Sequence, residues 1–241
     1  MIAINIGRTF LDAYNEKFNK AYTAKEFFVD VYFPLFFDHE KYMQWVTNSP
    51  FVQGIKKGII PTTEERRLKL QTLIDKISQN KADASIAIGF PSLDLTASTS
   101  GQITSMNLPL KEEDVYLSWI GGGFGIGVQS GLSMFFENRQ ILLDLFDGWQ
   151  IYRDYLNNTP QLRANQINTW NGQWLSHRYN KMTYDAHNPT ASFNPFGATK
   201  DGGLEVNTQS WTKVILGIAR SFPETLETAY VYSLGQTNIT V

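Results

Sequence analysis

Val115-Tyr116-Leu117-Ser118-Trp119-Ile120-Gly121-Gly122-Gly123-Phe124-Gly125-Ile126-Gly127-Val128-Gln129-Ser130-Gly131 is the stretch on which the fold class turns. The apolar run Val115–Ile120 reads as a strand. Beyond it, an alternation sends Phe124, Ile126 and Val128 to one side and Gly123, Gly125 and Gly127 to the other. Strand side chains alternate faces, so one face is apolar and the other is bare. A bare glycine face lets a backbone, a ring or a ligand come closer than a methyl group allows. Gly125, Gly127 and Gly131 also spell G-x-G-x-x-x-G after a strand, the outline of a dinucleotide loop. That motif needs a helix directly behind it, and Leu132 to Phe136 reads as extended. The glycine face is therefore expected to take either an internal neighbour, such as Trp119 or a helix, or the backbone of an external peptide or nucleic-acid strand.

Upstream, Ile86, Ile88 and Phe90 alternate with small residues, and Leu93 and Leu95 continue the pattern. Ser100-Gly101 suits a turn and Ile103–Leu108 a returning strand. Residues 84–136 are thus read as an antiparallel meander. Ile2, Ile4 and Ile6 suggest a short first strand, and the apolar tail Ala229–Val241 a last strand paired with the central sheet.

Helices flank this region. Thr23-Ala24-Lys25-Glu26 and Thr62-Thr63-Glu64-Glu65 are capping boxes. The first opens an aromatic helix with Phe27, Phe28, Tyr32 and Phe33, which Pro34 should end or kink before Phe36–Trp45 continues it. The second opens a helix burying Leu70, Leu73, Ile74 and Ile77. Later stripes are Leu142, Leu145, Phe146, Trp149, Tyr152 and Leu156; then Ile167, Trp170, Trp174 and Leu175; then Trp211, Val214, Ile215, Ile218 and Phe222. Thr159-Pro160 reads as an N-cap with proline at the first helical position, which starts the middle helix near Leu162. A loop from about Tyr184 to Gly203 follows it. Helices before and after a run of strands give an α+β class: aromatic-rich helices on a central antiparallel sheet in a single domain, 1–241. Its sub-regions are a helical 1–82, the meander 84–136, and a mainly helical 137–241 with a C-terminal strand.

Composition excludes several chemistries. The 241 residues include no cysteine, so this chain supplies no disulfide, thiolate metal site or cysteine nucleophile. A net charge of −2 argues against a general polyanion binder. The first residues lack the basic head and apolar core of a signal peptide, and no run approaches a membrane span; the expectation is a cytoplasmic chain without membrane contact. No P-loop, nucleophile elbow or zinc-protease signature is present, and no cofactor is expected.

The remaining candidates are weak in pattern. Between Leu162 and Tyr179, Arg163, Asn165, Gln166, Asn168, Asn171, Gln173, His177 and Arg178 lie among two tryptophans. They suit either base and phosphate recognition or a buried polar network. Asp144 and Asp147 share a helix face and, with Asp185, outline a magnesium site or a solvated acidic face. Asp38-His39-Glu40 and Asp185-Ala186-His187 resemble metal ligands in composition only. Lys56-Lys57 and Arg66-Arg67 with Lys69 form short basic clusters. The reading is a non-enzymatic binding or assembly protein, as one subunit of a larger prokaryotic complex, contacting a protein or nucleic acid through Gly123, Gly125, Gly127, Arg163, Asn171 and Arg178. A metal-dependent nuclease or hydrolase and a small-molecule binder at the glycine loop are the alternatives.

Overall fold

Ile2–Phe18 is a helix, α1, not the short strand that three alternating isoleucines suggested. The longer window decides: Ala3, Ile6, Gly7, Phe10, Leu11 and Ala13 are the buried positions, and their spacing is helical. The computed structural model describes residues 2–46, 49–55, 59–79 and 111–233. The strands expected between 84 and 108, the Ser100-Gly101 turn and Lys56-Lys57 lie outside them. The chain divides between Gly123 and Phe124 into two compact units. Its mixture of helices with antiparallel sheets of three and two strands is of the α+β class.

Among its described residues, the first unit is built of helices and turns. The Thr23–Glu26 capping box starts α2, Ala24–Phe27. The path runs on through a π-helical turn, Phe28–Tyr32, into α3, Phe33–Phe36. In the π turn the Phe33 amide bonds the Phe28 carbonyl, and the wider ring passes Pro34 without breaking the path. The helix ends at Phe36 instead of continuing to Trp45. Phe28, Tyr32, Phe36, Phe37 and Phe51 form a ring cluster, with Tyr32 stacked on Phe36 at 4.1 Å and Phe37 on Phe51 at 4.2 Å. Trp119 closes it, edge-on to Phe37 and Phe51. Among the described residues, the aromatic helix therefore packs on the helix that carries Tyr116 and Trp119 and on neighbouring rings.

Trp119 belongs to α5, Glu112–Gly122, where a strand was expected over Val115–Ile120. Every residue from Val115 to Gly122 is buried, so the segment shows no period, and a short apolar run reads equally as strand or helix. Three acids in its first turn, Glu112, Glu113 and Asp114, match the positive end of the helix dipole. α5 lies directly on α1. A Cβ at Gly121 would collide with the Ala3 carbonyl, and one at Gly7 with the Leu117 carbonyl, so two glycines permit backbone-to-backbone contact. The second capping box starts α4, Thr63–Ser78. Leu73 and Ile77 are buried as expected, whereas Leu70 and Ile74 are half-buried. Arg66 of α4 is also buried and donates to Asp38, 3.1 Å away, after α3.

Among the described residues, both sheets lie in the second unit. β1, Ile126–Val128, pairs antiparallel with β2, Leu132–Phe136, which pairs antiparallel with β5, Ala229–Ser233; of the C-terminal strand expected over Ala229–Val241 this part is present, and 234–241 lie outside the described residues. α6, Arg139–Asn158, buries all six residues of its stripe. α7 spans Ile167–Arg178. It does not begin near Leu162, because Thr159 closes α6 and its carbonyl accepts from the Leu162 amide in a turn. Inside the loop expected from Tyr184 to Gly203 lies β3, Phe196–Ala198, paired with β4, Leu204–Val206. α8, Trp211–Ser221, buries Val214 and Ile218 but leaves Trp211 exposed.

Candidate functional site

The six residues on which a site was expected are placed on different elements: Gly123 at the end of α5, Gly125 and Gly127 at β1, Arg163 before α7, and Asn171 and Arg178 within α7. Gly123 caps α5 in ordinary right-handed helical geometry. Gly125 and Gly127 border and enter β1, and their bare face is filled from inside the unit. A Cβ at Gly127 would stand 3.1 Å from the Asn168 carbonyl carbon, and one at Gly125 3.0 Å from Ser133 Oγ and 3.3 Å from Asn168 Nδ2. The first turn of α7 thus lies where an external backbone was one expected occupant. Gly172 completes the contact, since a Cβ there would meet the Gly127 carbonyl at 2.7 Å.

Amide density along α7 follows from the same packing. The fully buried Asn171 donates to the Gly125 carbonyl at 2.8 Å and accepts from Trp149 Nε1 at 3.0 Å. Gln166 accepts from the Val206 amide, and Gln173 donates to the Asn207 carbonyl. These side chains stand in for ladder partners and hold the 204–209 segment to α7. Gln209 meanwhile supplies a carbonyl to Gln129 N of the β1–β2 turn. Buried peptide groups need such partners, and amides carry both a donor and an acceptor.

Arg163 lies outside the helix. It is half-exposed and pairs with Asp201 at 2.8 Å and Glu205 at 3.5 Å. Arg178 is at the other end of α7 and joins the most polar buried cluster described. There Asp144 of α6 is almost wholly buried. Its Oδ1 accepts from Arg178 Nη2 at 2.9 Å and Gln140 Nε2 at 3.0 Å, and its Oδ2 from the Tyr179 hydroxyl at 2.9 Å. Burial, then the Asp144 charge, pushes the Tyr179 phenol far above its ordinary range, so it stays a neutral donor. Arg178 also donates to the Tyr184 hydroxyl and lies over that ring. Burial disfavours the Arg178 cation, but Asp144 and Tyr184 outweigh it and its pKa is raised. Every oxygen of the Asp144 carboxylate is thereby occupied, and the pair is a closed structural brace.

The other metal outlines also fall apart in space. Asp185 caps a local turn by accepting from the His187 amide, Asp38 is engaged by Arg66, and His39 Nδ1 accepts from the Lys41 amide. Among the described residues no three His, Asp or Glu side chains stand close enough to hold a metal ion. The basic cluster on α4 is split: Arg66 is buried and Lys69 Nζ donates to the carbonyls of Pro50 and Gln53, whereas Arg67 is exposed. Tyr179, Tyr184 and Gln140 carry the Asp144 brace; Tyr179 gave no signal in sequence, because its partner is 35 residues away, whereas Gln140 stands four residues before Asp144 on α6, a helical spacing that could have marked it.

No helix among the described residues is long and apolar enough to cross a membrane. No family model, no curated protein and no solved structure matches the chain.

Proposed function

We propose that the chain is a non-enzymatic binding or assembly protein whose partner is another protein. One contrast in the second unit supports this reading. Its chemistry-bearing side chains Asp144, Asn171, Arg163 and Arg178 are engaged by internal partners, while large apolar side chains face solvent: Trp211 (48%), Leu216 (52%), Val231 (51%) and Tyr232 (46%). Aromatic anchors of this kind dominate the energetics of protein interfaces, and engaged arginines are poor phosphate ligands. Nucleic acid is therefore the less favoured partner.

A photo-crosslinking residue placed at Trp211 or Tyr232, in cells producing the protein, should give one discrete protein adduct. The same residue at the exposed Lys200 should not. Adducts equally abundant at Lys200, no adduct at all, or a nucleic-acid adduct would overturn the proposal.

A further inference from the structure

No further inference is drawn: the strongest candidate, the edge of the three-stranded sheet at β5, where Val231 and Tyr232 face solvent, carries nothing beyond the protein partner already proposed, because nothing in the structure shows what covers it.

Discussion

The two units solve the problem of a large aromatic core differently. In the first, rings pack on rings and backbone on backbone. Tyr32, Phe36, Phe37 and Phe51 stack, Trp119 seals them, and Gly7 and Gly121 bring α1 onto α5. In the second, each central tryptophan also places its N–H: Trp149 on Asn171, Trp170 on the Gly148 carbonyl, and Trp174 on the Asp144 carbonyl. Ring packing is tolerant of small shifts, whereas a buried N–H needs a partner at a fixed point. Changes in the second unit that preserve volume but remove one of these donors or acceptors should therefore be costly.

The largest effect is expected at Trp149. It stacks on Phe124 at 4.2 Å and is fully buried. Trp149→Ala removes that packing and a bond to Asn171, and should cost about 3–5 kcal/mol by chemical denaturation. Trp149→Phe sharpens the comparison: it keeps much of the packing but loses the N–H, and a cost near zero would mean that hydrogen-bond placement does not distinguish the second unit.

Asp144→Asn comes next. It keeps shape while leaving Arg178 without its carboxylate. Removing one partner of a buried pair costs about 3–5 kcal/mol, and the partial exposure of Arg178 puts the expectation at the low end, about 3 kcal/mol. The variant also separates brace from catalyst: a metal-dependent phosphoesterase activity that is present in the wild type and abolished here would restore the nuclease reading.

What was legible in the sequence divides along related lines. α6 was readable because one face meets water, so its stripe has a period. α5 was not, since it is buried all round and carries no period at all. Both capping boxes were readable because the signal spans four residues. The start of α7 was missed because Thr159-Pro160 suits a turn as well as a cap. The Asp144 brace and the covering of Gly125 and Gly127 depend on residues distant in sequence, and no local pattern specifies such pairings.

Glycine contacts allow a closer test of the two units. Gly121→Ala forces a methyl onto the Ala3 carbonyl, which is helix backbone and cannot turn aside. Gly125→Val meets side-chain atoms of Ser133, Phe135 and Asn168, which can adjust in part. Overpacking usually costs about 1–3 kcal/mol, and Gly121→Ala should fall at the upper end despite adding fewer atoms. If Gly125→Val left melting intact, its face would have room that the internal neighbours do not explain.

The smallest effect is expected at Arg163, the residue that most resembled a phosphate ligand. Its guanidinium is half-exposed and holds Asp201, which is exposed too. Solvent screens such a pair, so Arg163→Ala should lower the melting temperature by only about 2 °C or less. The pH dependence distinguishes this loss from general surface change. Hydrogen bonds from Thr199, then from Arg163, hold the Asp201 carboxyl down to about 2. A depressed acid contributes stability above its unfolded value and loses it as pH falls toward the folded one. The small difference between variant and wild type should thus be constant from neutrality to about pH 4, and shrink only below that. A difference that instead vanished near pH 6 would mean that Arg163 acts through a group other than Asp201. A loss as large as that at Trp149 would mean that the β3–β4 hairpin hangs on this pair, and that the second unit relies on surface charge as much as on its placed tryptophans.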